Sequence, residues 1–419
     1  MAPDTVRRYN QRMPDFVIST AKQDDWAAVC RMISHSFLEE PDEAIEEAEG
    51  HTFEPERTLL ARRDDELIGS AATLTRRLAV PGGTVACGHV TQVGVAAHAR
   101  RQGVLTALKK TQLADIRAAG EPVAMLWASE ARIYQRFGYG LAARRMSVDV
   151  DAREVALTVP ADPSMRVRPA VPVEVRDELA RIYDAAWPDR PGWSQRHEST
   201  WSYRLADPAS RREGSSPQRA VLAESDGMAI GYALYRTKNG WDADGPNGTV
   251  DIIEVVAPTP SAYVALWKFL IGYDLTRTTS WWLAAVDEPL MRLVNEPRRL
   301  RARGGDSVWV RLVDVPAALA ARRYAAPVDV VLDVTDELIP DNAGRWRLAG
   351  GPDGATCEPT TDPADLSLDV KALGSAYLGD GSLGPLAQAG LVVEERPGAV
   401  AHASAGFGWY RAPHSIEVF

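Results

Sequence analysis

The chain of 419 residues is longer than one hydrophobic core normally organises, so two or three domains are expected, each large enough to bury a core. The balance of 57 acidic against 47 basic residues, a formal charge of -10, argues against nucleic acid as the main partner and is compatible with cationic small molecules, although solubility alone explains the charge equally well. Cys30, Cys87 and Cys357 lack any CxxC or metal-ligand cadence, no run approaches the roughly 20 apolar residues of a membrane span, and Met1 to Pro14 is polar, so a reduced, cytoplasmic setting with no metal, no export leader and no membrane span is expected.

In chain order, Phe16-Val17-Ile18 reads as a short strand, and Trp26, Val29, Cys30, Ile33 and Phe37 form one apolar helical stripe behind Asp24 as N-cap. Glu39 to Glu49 is densely acidic and reads first as a solvated helix face. Thr58 to Arg62, Leu67 to Val80 and Thr84 to Val95 predict an antiparallel meander, turning at Asp64-Asp65 and at Pro81-Gly82-Gly83. After Arg100-Arg101-Gln102-Gly103 a helix carries Leu105, Leu108, Leu113 and Ile116 as far as Gly120. A glycine turn flanked by arginines at a strand-to-helix junction gathers backbone N–H groups and the positive helix terminus at one point, which suits a pyrophosphate. Val123 to Trp127 is a fully apolar strand, Glu130 to Phe137 a short helix ending at Gly138, and Met146 to Val150 a strand expected to close this first unit.

Beyond the linker Pro160 to Pro163 the order repeats. Met165 to Val167, the stripe Val175, Leu179, Ile182 and Tyr183, the strands Arg219 to Ala223, Ile230 to Leu234 and Val250 to Val256, the helix Tyr263 to Leu270 and the strand Trp281 to Ala284 form a second copy. Where the first copy has its arginine-glycine turn, the second has Ala257-Pro258-Thr259-Pro260-Ser261, so it is expected to be structural. From Val308 the chain turns β-rich, with a helix at Ala317 to Ala321, strands Val328 to Val334 and Arg345 to Leu348, and a polar, glycine-rich end from Pro397 to Val418. The apolar residues of Asp365 to Leu378 read as its core or as a lipid-like pocket.

The first unit resembles the GCN5-related N-acetyltransferase (GNAT) fold, with Arg100-x-x-Gly103 in place of its phosphate-binding turn, although Leu105 departs from the Gly/Ala that ends that motif. Ala128-Ser129-Glu130-Ala131-Arg132-Ile133-Tyr134-Gln135-Arg136-Phe137-Gly138-Tyr139-Gly140 is more specific and resembles a run of the enhanced intracellular survival (Eis) family of acetyltransferases. Val308-Trp309-Val310-Arg311, Val315-Pro316-Ala317-Ala318-Leu319, Leu373 to Gly379 and the terminal Phe419 extend the resemblance over most of the chain. It implies an α/β (α+β) architecture of tandem GNAT folds, the second degenerate, and a sterol-carrier-like domain, bounded here at 1–155, 164–303 and 304–419 and assembled as a homo-hexamer.

The resemblance also implies roles. Acetyl-CoA is the cosubstrate; Val93, Gly94 and Val95 meet its pantetheine arm, Arg100, Arg101, Gly103 and Val104 its pyrophosphate, and Ser129 is a further cofactor contact. Tyr134 is the general acid toward the departing thiolate, and the main-chain carboxylate of Phe419 is the base. Spacing alone does not separate Tyr134 from Tyr139. Arg100 and Arg101 read equally as an exposed basic pair, Ser129 as a helix N-cap and the terminus as a frayed end. An unshifted tyrosine, near pH 10, lies above a thiol near 8.5, so Tyr134 needs a depressed pKa or must act by hydrogen-bond donation. For the amine, the family's acidic pocket places Phe37 and Glu39 of Ser36-Phe37-Leu38-Glu39 in its lining, and Gln92 stands where the family has an aromatic. Val418 replaces a penultimate glutamate, with Glu417 one residue earlier, which points to an altered substrate range. The expected reaction is acetyl transfer to amines of cationic small molecules such as aminoglycosides. The competing readings are an acyltransferase for protein lysine, a polyamine or a biosynthetic intermediate, and a non-catalytic acetyl-CoA or lipid binder.

Overall fold

The computed structural model describes residues 15–380 and 383–419. They fall into two compact units, one holding the segments up to Pro41, Glu54–Thr73 and Gln92–Gln112, the other Asp42–Phe53, Leu74–Thr91 and Leu113–Phe419.

In the first unit Val17–Thr20 pairs antiparallel with Thr58–Arg63, which pairs with the beginning of Glu66–Val80. Asp64 and Asp65 both take positive φ, 46° and 66°, the left-handed pair that a two-residue hairpin turn needs to follow the twist of its strands. The helix is Trp26–Ser36, and two expectations fail there. Asp24 does not cap it, because Gln23–Asp25 form a 3-10 turn and Asp25 holds the cap position without a side-chain bond. Phe37 lies past the last turn and is 47% exposed, off the buried stripe. A Cβ on Gly94 would stand 2.8 Å from Ile33 Cδ1, so glycine lets this helix lie directly on the strand. Phe16, Leu59, Ile68, Ala71, Val104 and Leu108 form the core.

The second unit contains a strand exchange that the sequence order conceals. Arg144–Asp151, expected to close the first copy, pairs instead with Thr276–Ala285 and Arg303–Asp306 of the second copy's sheet. Conversely Val308–Leu312, which follows the second copy, pairs antiparallel with Val123–Trp127 of the first, itself parallel to Cys87–His89. The second copy's sheet has seven strands, running from Arg303–Asp306 through Arg144–Asp151, Thr276–Ala285, Gly248–Val256, Met228–Lys238 and Arg219–Ser225 to Arg166–Ala170.

The C-terminal region is a five-stranded sheet with Val328–Thr335 at its centre. Leu366, Leu368, Leu373, Tyr377 and Leu378 are core residues here, packed with Val310 and Leu312 of the exchanged strand. The stretch read as a polar, glycine-rich end contains the helix Ala399–Phe407, whose Ala399, Ala403 and Phe407 are buried. Small residues let it lie close to its sheet: a Cβ on Gly406 would stand 3.1 Å from Val328 Cβ. Among the described residues no helix is long and apolar enough to cross a membrane.

Arg311 on the exchanged strand is wholly buried, and its guanidinium spans Asp336 Oδ1 and Oδ2 at 2.8 and 2.6 Å. Asn342 Nδ2 donates to the same carboxylate at 2.9 Å. Removing one partner strands the other charge out of water. Arg311→Ala is therefore expected to lower unfolding free energy by about 3–5 kcal/mol in urea titration, whereas Glu337→Ala on the adjacent loop leaves it within about 0.5 kcal/mol.

Candidate active site

Each group of candidate residues is held by local backbone geometry. In the first unit Gln92 has φ 48°, a left-handed kink just before Val93, and its carbonyl accepts Ser70 Oγ at 2.7 Å. Gly94 is buried under the helix, and Val93 and Val95 pack partly against the core. The chain then turns out through Ala97–Ala99 to Arg100, Arg101 and Gly103, all exposed. Arg101 and Gly103 take positive φ, 63° and 89°, and a Cβ on Gly103 would meet nothing within 4 Å. The helix Val104–Ala118 starts there, so its first N–H groups open onto an unfilled turn beside two guanidinium groups, a fitting anion cradle. Of the expected amine-binding residues, Glu39 is exposed just beyond Leu38, which has φ 64° and is 94% exposed; Phe37 and Glu39 both face outward from this unit.

In the second unit the apolar strand Val123–Trp127 runs into Ser129 and the short helix Ala131–Gln135. Ser129 does not cap that helix; Glu130 holds the cap position without a side-chain bond, and the Ser129 hydroxyl instead bonds Tyr134. Tyr134 is 6% exposed, and its ring meets Tyr139 edge-on at 6.0 Å. Burial pushes the Tyr134 phenol up to about 12; the Ser129 hydrogen bond pulls the other way and the Glu130 charge adds to the rise. Tyr139 is wholly buried, beside Arg311, which separates the two phenols as spacing did not.

The chain terminus is anchored. Trp127 Nε1 donates to the carbonyl of Glu417 at 2.9 Å, which brings the tail to the end of the strand that leads to Ser129 and Tyr134. Phe419 packs against the core, its ring 4.5 Å from the His89 imidazole. His89 Nδ1 faces the Cys87 carbonyl at 3.4 Å, so Nδ1 carries the proton and Nε2 accepts from Ser194 Oγ at 2.6 Å. Sequence reading singled out none of Trp127, His89, Ser194, Arg196 or His414. The bonds His89–Ser194, Trp127–Glu417, Trp193–His414 and Arg196–Glu417 span 105 to 290 residues of the chain, and a lone histidine, tryptophan or arginine carries no local spacing that would reveal them.

Residues 17–142 and 192–312 match acetyltransferase (GNAT) domain families, and residues 315–416 match the sterol carrier protein domain. An N-acetyltransferase of uncharacterised specificity from Streptomyces avermitilis is 43% identical over 94% of this chain and 98% of its own length. The N-acetyltransferase Eis of Mycobacterium bovis is 33% identical over 85% of this chain and 88% of that protein. The crystal structure of Eis1 from Mycobacterium abscessus superposes with a TM-score of 0.82 at 33% identity, covering 96% of this chain and all of that one. The chain belongs to the Eis family of GCN5-related N-acetyltransferases. As an Eis-family protein it is an acyltransferase enzyme, with two GNAT folds followed by a sterol-carrier-like domain.

The anchored tail makes this Eis-family fold sensitive to acid. His414 Nδ1 accepts from Trp193 Nε1 at 3.0 Å and its Nε2 donates to the Leu283 carbonyl at 2.8 Å, which holds the ring neutral. Burial, with help from Arg190, lowers its pKa to about 3 from the 6.5 of an exposed ring. A histidine depressed in the fold stabilises fully above the unfolded pKa and loses that contribution as pH falls from 6.5 toward 3. From pH 7 to pH 5 the stability advantage of the native chain over His414→Asn is expected to shrink by about 2 kcal/mol in urea titrations. A difference independent of pH would mean that the folded ring titrates like a free one.

Proposed function

We propose that the enzyme transfers the acetyl group of acetyl-CoA to amines of cationic small molecules, aminoglycosides among them. The observation that carries this reading is the Trp127 bond to Glu417, which fixes the chain terminus at the end of the strand leading to Ser129 and Tyr134. In the first unit Arg100, Arg101, Gly103 and Val104 receive the pyrophosphate, and Val93, Gly94 and Val95 offer backbone groups to the pantetheine arm. Glu39 and Phe37 supply charge and apolar surface for the amine, and Gln92, where the family carries an aromatic, shifts the range of amines accepted.

The amine nitrogen attacks the thioester carbonyl carbon, the C–S bond breaks, and the ammonium proton passes to the Phe419 α-carboxylate, directly or through water. A carboxylate near 3.5 is a weak base, so its contribution is to attract the cation and accept the proton as the tetrahedral intermediate forms. Tyr134, with Ser129 on its hydroxyl, donates a hydrogen bond to the sulfur as charge develops there. Its pKa of about 12 lies above that of the thiol, so the phenol stays protonated throughout the working pH range and does not ionise ahead of bond cleavage.

Incubation with acetyl-CoA and a mixed amine panel, read by mass spectrometry and thiol release, is expected to give acetylated aminoglycosides. Tyr134→Phe is expected to lower kcat by about 10²- to 10⁴-fold without an alkaline limb below pH 10 in the native profile. Residues appended after Phe419 are expected to abolish turnover. A fully active extended chain would remove the terminal carboxylate from the mechanism, and a panel with no acetylated amine would overturn the function. By the same family reading the protein is a homo-hexamer, which light scattering on the purified chain checks.

A further inference from the structure

The second GNAT copy lacks the arginine-glycine turn, yet one segment of it engages the C-terminal tail almost residue by residue. Between the 3-10 turn Trp187–Asp189 and the helix Glu198–Leu205, residues 190–196 form a strap that begins with a turn closed by the Trp193 N–H on the Arg190 carbonyl. Arg190 pairs with Asp287, whose other oxygen accepts the Ala412 N–H at 3.0 Å. The Pro191 carbonyl accepts the His414 N–H at 2.9 Å. Gly192, at φ 93°, lies so close to the tail that a Cβ would stand 2.4 Å from the His414 carbonyl oxygen. Trp193 donates to the His414 ring, Ser194 donates to His89, and the His89 ring supports the ring of Phe419.

Arg196 completes the set. Its side chain is wholly buried, 3.9 Å over the Tyr183 ring, with Nη1 and Nη2 on the two Glu254 oxygens at 3.0 and 2.8 Å. Its third nitrogen, Nε, donates to Glu417 Oε2 at 3.1 Å. Glu254 sits on the strand Gly248–Val256, the counterpart in the second copy of the strand that carries Val93 to Val95 in the first. The strap itself is held by backbone bonds from Gly192 and Gln195 to the carbonyls of Ala79 and Arg77.

We infer that the second copy is the positioning device for the terminal carboxylate: strap residues 190–196, above all Arg196 braced by Glu254, fix Glu417 and so set where the α-carboxylate of Phe419 stands. This rests on the proposed role of that carboxylate. The chemical logic is that the residues just upstream of Phe419 set the direction in which its main chain points. Glu417 is two residues away, and its side chain and its carbonyl are both fixed, by Arg196 and by Trp127. Arg196, Glu254, Glu417 and His89 are positioning residues, acting on the reaction through Phe419.

The test compares five chains: native, Glu417→Ala, Glu417→Gln, a chain ending at Val418, and the double variant that combines Glu417→Ala and loss of Phe419. Glu417 is at the edge of the cluster, so its replacement leaves the two Arg196–Glu254 bonds in place, and thermal unfolding checks that each variant is folded. Glu417→Ala is expected to lower kcat about tenfold or more, with KM for acetyl-CoA within about twofold, because misplacing a reacting group by an ångström costs rate and not cofactor binding. Glu417→Gln, which still accepts from Arg196, recovers part of kcat. The double variant is no slower than the chain lacking Phe419, since both changes act through one group. Unchanged kcat in Glu417→Ala, or a double variant slower than the chain lacking Phe419, overturns the positioning role. Full activity in a chain with residues appended after Phe419, which carries no carboxylate at that place, instead overturns the terminal-carboxylate reading on which it rests.

Discussion

The fully buried guanidinium of Arg196 is the constraint around which the tail and the second GNAT copy are arranged. Taking such a group out of water is costly, and the cost is offset only when every donor finds an acceptor and the charge is matched. Glu254 supplies two acceptors and Glu417 a third, Tyr183 and Trp201 cover the faces of the plane, and Tyr232 donates to the Glu254 oxygen that Nη1 occupies. Burial alone would raise the Glu254 carboxyl, but the charges of Arg196 and Arg204 reverse this and hold it at about 2. Glu254 is thus ionised at neutral pH and faces Arg196 as a carboxylate. A tail that left it would abandon a buried cation with an unused donor, which keeps the chain end in register.

The strand exchange has a related consequence. Because Val308–Leu312 completes the sheet beside Val123–Trp127, the segment bearing Ser129 and Tyr134 leaves a strand flanked on both sides. Arg311, from the same inserted strand, packs so closely on Gly138 that a Cβ there would stand 2.8 Å from its Cζ, and it is neutralised by Asp336 of the sterol-carrier-like region. The catalytic fold and the C-terminal domain therefore share one buried charge pair and one hydrophobic cluster, in which Val310 and Leu312 pack with Val330, Leu332 and Leu368. Neither could be excised without exposing the inner face of the other.

Local features of this organisation were legible in the sequence and long-range ones were not. The meander, the aspartate turn, the glycine turn after Arg101 and the apolar strand before Ser129 each announce themselves through short spacing or a left-handed backbone position. The family run around Tyr134 added the chemistry. The exchanged strands could not be placed, because Met146 to Val150 and Val308 to Leu312 are β-rich wherever they pair, and an alternating pattern does not name its neighbour. The helix stripe was extended one turn too far to Phe37 for a similar reason: periodicity continues past the point where the backbone leaves the helix. The tail failed most clearly, since its small residues and glycines resemble a loose end while its hold comes from His89, Trp127, Trp193 and Arg196.

Duplication followed by loss of the phosphate cradle usually suggests a remnant, but the geometry of the second copy argues for reassignment. The first copy uses the end of a central strand and the following helix start as an open turn with paired arginines. In the second, the corresponding helix begins at Pro260 behind a Thr259 cap, whose hydroxyl accepts the Ala262 N–H, so one of the donors that would face an anion is already used. Pro260 removes another donor. What the copy retains is the rigid sheet, and on that sheet Glu254 braces Arg196 against Glu417. The rigid sheet of the second copy thus reaches the tail through one buried chain of contacts, from Glu254 through Arg196 to Glu417.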